Sequence, residues 1–365
     1  MKGHALNPIN EEYMADIYQR LAKHLDNLPA GYPATESGVE LRILKRLFSP
    51  EEAELALLMT MLPEAADSVA ARTGKDSDHL ATMLESMAKK GLLFRMSKGG
   101  KKQYMAAQFV IGIWEYHIND LDEALIRDVN AYLPHITKKV WVAQGTKQLR
   151  VVPVAKSISA AIQTMPYEVA EDIIRSQSKI VVAPCICRKE QNMVGSGCDK
   201  PMEVCLTFGS GAFYYEENGL GRAICQDEAV EILHTGMEAG LVLQPGNSQK
   251  PTNICMCCGC CCQVLKNLKA LDAPAKAVHT NYYAQINEVD CTACQTCVGG
   301  CQMDAITVAE LAAVDPDRCI GCGLCIPACP TDAITLFQKE ETDTYVPPKN
   351  VFETYLNMAR ERGKI

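Results

Sequence analysis

Apolar positions recur at helical spacing through much of the first third of the chain. In SPEEAELALLMTML (49–62), Ser49 and Glu52 have the spacing of a capping box and Pro50 takes the first helical position. PEAADSVAARTG (63–74) reads as a short second helix stopped by Gly74. SDHLATMLESMAKKG (77–91) reads as a third, with Leu80, Leu84, Met87 and Ala88 on one face and Gly91 as its stop. LLFRM and QYMAA, on either side of SKGGKK, read as a β-hairpin. Residues 108–140 continue as helix, which Pro134 is expected to end; Trp114 and Tyr116 read there as core or dimer-face aromatics.

The pattern changes after residue 148. LRVVPV and KIVVAP read as buried strands, and MPYEVAEDIIRSQ, DEAVEILHTGMEAGL and CQVLKNLKAL as helices. Strands mixed with helices imply a small α/β domain. FGSGAFYYEENGLGR has glycines, but not at phosphate-loop spacing, and reads as loop. PPKNVFETYLNMARERG (347–363) reads as a terminal helix after a Pro-Pro break. The expected fold is multidomain α+β. Its parts are 1–110 (three helices and a hairpin), 111–147 (helical connector), 148–280 (Cys-rich α/β), 281–340 (the second Cys-rich part) and 341–365 (helical tail).

Composition adds a constraint on chemistry. The 365-residue chain carries a net charge of −8, which argues against general nucleic-acid binding. No apolar run is long enough to span a bilayer, and MKGHALNPINEEYM lacks the apolar core of a signal peptide, so a cytoplasmic protein is expected. Nineteen cysteines, an odd number in a long chain, point to metal rather than to a disulfide framework.

The spacing of those cysteines is specific. CTACQTCVGGC (291–301) and CIGCGLCIPACP (319–330) are both C-x2-C-x2-C-x3-C, and the tails CQMDAITV and CPTDAITL repeat DAIT. A tight C-x2-C-x2-C loop wraps three irons of a cubane and takes its fourth thiolate from elsewhere; zinc knuckles, the alternative, pair C-x2-C units across longer gaps. Residues 281–338 resemble a bacterial-type two-cluster 4Fe–4S ferredoxin. That resemblance implies one cluster on Cys291, Cys294, Cys297 and Cys329, and another on Cys319, Cys322, Cys325 and Cys301. Gln302 stands where the first motif would usually have proline. An altered loop, hydrogen bonding or potential is expected there, with all four thiolates kept.

The stretch NICMCCGCCCQ (253–263) is denser still, with Cys255, Cys257, Cys258, Cys260, Cys261 and Cys262. Cys255, Cys258 and Cys261 form C-x2-C-x2-C, Cys257 and Cys260 an interleaved C-x2-C, and Gly259 is expected to supply a sharp turn. Cys185 and Cys187 of APCICRKE, at the end of an extended segment, would face one metal together. Arg188 beside them would favour ionised thiols. A third metal site is expected from Cys185, Cys187, Cys198, Cys205, Cys255, Cys258 and Cys261, with iron–sulfur favoured over zinc. The remaining thiols, Cys225 among them, would be small buried apolar residues.

The N-terminal helices and hairpin resemble a winged helix-turn-helix. Together with the CICR…CDKPMEVC…CCGCCC middle and the ferredoxin-like tail, they resemble a family of ferredoxin-type iron–sulfur proteins of anaerobic bacteria and archaea. The resemblance implies two 4Fe–4S clusters, with a third cluster or a zinc in the middle, and an electron-transfer protein serving a partner oxidoreductase. A redox-sensing DNA-binding regulator is the alternative. Lys89, Lys90, Arg95, Lys98, Lys101 and Lys102 would meet phosphate, but Asp78, His79, Thr82 and Glu85 offer the recognition helix no Arg or Lys. A reductase with its own metal site ranks third; His234 and Glu228, its acid–base candidates, read as solvated surface. No flavin, nucleotide or haem fingerprint is present. A homodimer through the helix after the hairpin is a weaker expectation.

Overall fold

A computed structural model describes residues 8–158, 162 and 164–365 of the chain. It forms two units: Met1–Ala143 with Ala359–Ile365, and Gln144–Met358.

The first unit contains α1 (Pro8–Asn27), α2 (Val39–Leu47), α3 (Pro50–Ala56), α4 (Ala66–Thr73), α5 (Ser77–Lys89), β1 (Leu93–Lys98), β2 (Lys101–Ala106), α6 (Trp114–Tyr116) and α7 (Glu123–Ile136). The capping box before α3 forms in both directions: the Glu52 N–H donates to Ser49 Oγ at 3.2 Å, and the Ser49 N–H to Glu52 Oε2 at 2.7 Å. Leu80, Leu84, Met87 and Ala88 of α5 are buried. Gly99 and Gly100 join β1 to β2 with φ of 58° and 76°, the doubly left-handed turn that matches the twist of a two-residue hairpin.

The expected continuous helix over 108–140 does not form. Val110, Ile111 and Gly112 have non-helical backbone angles, and α6 is a single turn. Asp122 then starts a new helix by accepting the N–H groups of Ala124 and Leu125. Pro134 does not end that helix. It sits inside α7, and the chain widens one turn later into a π turn, Thr137–Trp141. Trp114 is fully buried, as a core residue.

His117 is buried, with Nδ1 2.7 Å from the Ile113 carbonyl, and burial pulls its pKa below 6.5. Burial does the same to His24. An unfolded histidine binds its proton near pH 6.5, before these folded ones do. This unit therefore loses stability as pH falls below about 6.5, by about 1.4 kcal/mol for each unit of depression. Thermal melts at pH 7.5, 6.5 and 5.5 should show the decline, and H117Q should flatten it; equal slopes in the two proteins would disprove the assignment.

The second unit contains α8 (Ala170–Arg175), β3 (Ile180–Pro184), α9 (Ile186–Met193), β4 (Glu203–Phe208), α10 (Gly209–Glu217), β5 (Arg222–Ile224), α11 (Gln226–Glu238), β6 (Val242–Pro245), β7 (Asn253–Cys257) and α12 (Gln263–Lys269). Next come β8 (Tyr282–Ile286), α13 (Thr296–Gly300), β9 (Ile306–Val308), β10 (Ala312–Val314), β11 (Ile334–Gln338) and α14 (Val351–Glu361). Five strands make one sheet in the order β5-β3-β4-β7-β6, with every neighbouring pair antiparallel. The middle thus mixes helices and strands as the pattern suggested, with the strands in an antiparallel sheet.

Two segments differ from their expected form. LRVVPV makes only isolated bridges, Leu149 to Gly246 and Val152 to Leu243. The Arg150 and Val152 N–H groups donate to the Pro245 and Leu243 carbonyls, whereas Val151 donates to the His279 carbonyl and Val154 to the Cys322 carbonyl, so its bonds are divided among several partners. FGSGAFYYEENGLGR is helix α10 over Gly209–Glu217, which buries Ala212, Tyr214 and Tyr215.

The C-terminal part of the unit packs two antiparallel pairs, β8 with β11 and β9 with β10. Ala284, Ile306, Ala312 and Ile334 form a small core around the sulfurs of Cys297 and Cys325. The DAIT repeat reappears as conformation: Asp304 and Asp332 have φ of 52° and 54°, a left-handed geometry that aspartate tolerates better than most residues.

Candidate metal centres

Eight cysteines lie in the two loops and paired strands of the C-terminal part. Cys291, Cys294, Cys297 and Cys329 line one small recess together with Ile286 and Ala312. Cys294 is exposed and Cys297 buried. The Thr296 hydroxyl and N–H hold the Cys294 thiol below its usual pKa. Burial raises Cys329, but the Thr331 N–H and hydroxyl and the N–H groups of Ala333 and Ile334 outweigh it. Four sulfurs around one recess, with N–H donors aimed at them, are what an iron–sulfur cluster requires.

Cys301, Cys319 and Cys325 pack into the same core, with Cys322 beside them. The Ala305 N–H donates to Cys301 Sγ at 3.3 Å. Burial pushes Cys322 up to about 12, and the nearby charges of Cys301 and Cys319 add to the rise. Cys325 is raised further, by burial and then by Cys322, Cys319 and Cys301. Buried thiols that resist ionisation alone fit a site whose metal displaces their protons.

In the middle, Cys198, Cys258, Cys260 and Cys261 bring their sulfurs within 4.8 Å of one another. Cys198 lies 3.9 Å from Cys258 and 3.6 Å from Cys261, and Cys260 lies 3.8 Å from Cys261. A tetrahedral ion with Zn–S bonds of about 2.3 Å spaces its thiolates by about 3.8 Å, so this set could hold one ion. Ligands on different irons of a cubane stand farther apart. The seven cysteines expected to build a single site therefore divide. Cys198, Cys258 and Cys261 join Cys260, while Cys185, Cys187, Cys205 and Cys255 lie in another group. The donor set and spacing favour one tetrahedral ion over the iron–sulfur cluster expected there. Cys260 was not among the expected ligands, although its C-x2-C spacing from Cys257 was a visible signal.

Gly259 lies in the expected turn, which the Cys262 N–H closes onto the Cys258 carbonyl at 3.1 Å, although its backbone is not left-handed. A Cβ on it would stand 2.1 Å from the Gln302 carbonyl oxygen, so only glycine permits this approach. The Gly259 N–H donates to Gln302 Oε1 at 2.8 Å. Gln302 follows Cys301 directly, and its side chain ties that loop to the loop carrying Cys258 and Cys260.

Cys185 and Cys187 are not on an extended segment. β3 ends at Pro184, Cys185 caps α9, and Cys187 lies in its first turn. Cys205 faces Cys255 across the β4–β7 pair. Cys225 is exposed rather than buried, and caps α11 by accepting the Glu228 N–H at 3.5 Å. Arg188 is fully buried and donates to the carbonyls of Pro201 and Met256, both at 2.6 Å. Burial raises Cys258, but the Cys261 N–H and the Arg188 charge bring it below its usual value.

The basic residues of α5 and the hairpin are largely engaged. Glu85 receives Arg95 at 2.9 Å, Lys102 at 3.1 Å and Lys89 at 3.8 Å, and Lys90 pairs with Glu52 at 2.7 Å. His234 stands half-exposed 3.8 Å from Glu171, and Glu228 pairs with Arg222 at the surface.

Residues 312–335, which include Cys319, Cys322, Cys325 and Cys329, match the family model of the 4Fe-4S binding domain. The chain thus carries a 4Fe–4S binding domain in its C-terminal part, which points to electron transfer in general. No curated protein and no solved structure matches the chain. Among the described residues, no helix is long and apolar enough to cross a membrane.

Proposed function

We propose that this protein is an electron carrier that relays low-potential electrons to or from a partner oxidoreductase in anaerobic metabolism. The observation that carries this reading is the 4Fe-4S binding domain matched at residues 312–335; the bond from the Gly259 N–H to Gln302 brings the nearby Cys301 loop to the loop carrying Cys258 and Cys260. Two clusters of the bacterial ferredoxin type would be held by Cys291, Cys294, Cys297 and Cys329, and by Cys301, Cys319, Cys322 and Cys325. Bound there, each cluster supplies one-electron exchange. The chain supplies thiolates, N–H groups directed at sulfur, burial and a docking face. Cys294 is exposed, and Val289, two residues before Cys291, is 91% exposed, which suits an edge where a partner approaches.

Anaerobically purified protein is expected to contain about eight irons and eight sulfides in these two sets, with one further tetrahedral ion in the middle. Reduction with dithionite should produce electron paramagnetic resonance signals from reduced clusters. Protein without reducible iron and labile sulfide would overturn the proposal.

The second reading, a redox-sensing regulator using a winged-helix-like α3–β2 region, is weakened by the pairing of Arg95, Lys102 and Lys89 with Glu85. Gel shifts with genomic fragments should give no complex even at about 50 mM salt, where phosphate contacts are strongest. A salt-sensitive shift would revive the regulator. Surface positions for His234 and Glu228 likewise give a reductase no acid–base site.

A further inference from the structure

Besides the exposed Cys225, six cysteines of the second unit belong neither to the ferredoxin-like sets nor to the Cys198 ion site: Cys185, Cys187, Cys205, Cys255, Cys257 and Cys262. They come from four places in the chain, and their thiols form a continuous line. Cys205 meets Cys255, and Cys255 meets Cys257. Cys257 meets Cys262, and Cys262 meets Cys187. Cys187 meets Cys185. The strands explain half of this line. Cys205 and Cys255 are directly opposed, and Cys255 and Cys257 are alternate residues of β7 and so share a face. Cys262, at the start of α12, and Cys187, in the first turn of α9, extend it.

Two further observations point to a ligand. The first is charge. The Arg188 guanidinium is fully buried and, among the described residues, pairs with no carboxylate; it follows Cys187 in the chain and donates to the carbonyl of Met256, which stands between Cys255 and Cys257. A buried cation needs negative charge, which metal-bound thiolates would supply. The second is donor geometry. Asn253 Nδ2 donates to Cys255 Sγ at 3.7 Å. N–H donors to sulfur tune iron–sulfur clusters.

The arrangement also indicates nuclearity. Among the described residues, only the Cys198 set crowds its sulfurs within 4.8 Å of one another. The six do not converge on one point. An elongated lining suits several metal atoms rather than one.

We propose that Cys185, Cys187, Cys205, Cys255, Cys257 and Cys262 hold a polynuclear iron–sulfur centre, distinct from the Cys198 ion site. The proposal extends the electron-transfer reading by adding a stop for electrons beyond the ferredoxin-like domain. It does not require that domain to hold both of its clusters.

The test uses the full chain, purified without oxygen, in three forms: wild type, C187S/C257S and C319S/C325S. Iron, zinc and labile sulfide are measured in each, with spectra after dithionite reduction. C187S/C257S is expected to lose iron and sulfide together, about a third of each if the centre is a four-iron cluster beside two others. It should keep the single tetrahedral ion. C319S/C325S should lose a different share of the iron and keep the signal that C187S/C257S lacks. If the ferredoxin reading fails and this one holds, iron disappears only in C187S/C257S. A folded C187S/C257S with wild-type iron and sulfide overturns the proposal. Should that variant not fold, C205S replaces it, Cys205 being only half-buried. An altered cluster spectrum is then expected, and a wild-type spectrum overturns the proposal. C225S, at an exposed site, serves as the unaffected control.

Discussion

Cys261→Ser is expected to expel the ion from the Cys198, Cys258, Cys260 and Cys261 site and to lower the melting temperature of the second unit sharply. Cys261 is completely buried and lies within 3.8 Å of both Cys198 and Cys260. The loop that carries it has little regular structure. One backbone bond, from the Cys262 N–H to the Cys258 carbonyl at 3.1 Å, closes the turn, and the Gly259 N–H bond to Gln302 anchors it. The sulfurs must therefore do much of the ordering. Structural zinc in small peptides contributes about 10–16 kcal/mol, which is folding free energy because no such site exists in the unfolded chain. Even a fraction of that rivals the net stability of a typical domain, about 5–15 kcal/mol. Metal analysis should show one equivalent lost, and melts with and without chelator should converge for the variant. If metal content and melting match the wild type, the convergent site is not a metal site.

Gly259→Ala is expected to cost about 1–3 kcal/mol, the usual price of forcing extra volume into a packed place. The obstacle is the Gln302 backbone carbonyl, 2.1 Å from where the methyl would stand, and backbone cannot swing aside as a flexible side chain would. Gln302→Ala separates the two contributions. It removes the side-chain acceptor of the Gly259 N–H but leaves the space, so about 1 kcal/mol is expected. Denaturant unfolding of the two variants measures the difference. A G259A protein as stable as wild type would mean that the two loops do not meet as described.

The most legible parts of the sequence were those whose geometry is local. Ser49 and Glu52 lie three residues apart and cap within one turn, and Gly99-Gly100 sets a hairpin without help from the rest of the chain. The two C-x2-C-x2-C-x3-C runs are readable for the same reason, since three ligands of each proposed set lie within seven residues. The middle was harder because its sulfurs meet through tertiary structure. Cys198 reaches Cys258 and Cys261 across some sixty residues of chain. Neighbours in NICMCCGCCCQ separate because Cys255 and Cys257 stay on β7 while Cys258, Cys260 and Cys261 turn away from it. No spacing rule assigns adjacent cysteines to different groups. Pro134 and the glycines of α10 misled for a related reason. Each disfavours helix locally, but buried neighbours such as Leu133, Tyr214 and Tyr215 favour it more.

Gln302 bears on how freely the parts of this chain can be exchanged. A ferredoxin segment of ordinary sequence, with proline after the fourth cysteine, could be grafted over residues 281–338 and retain every thiolate. It would bring no acceptor for the Gly259 N–H. The junction is fitted from both sides, with a glycine in one loop and a glutamine in the other. Modules that look separable in sequence are matched here at a single pair of residues, and a chimera would have to carry both across.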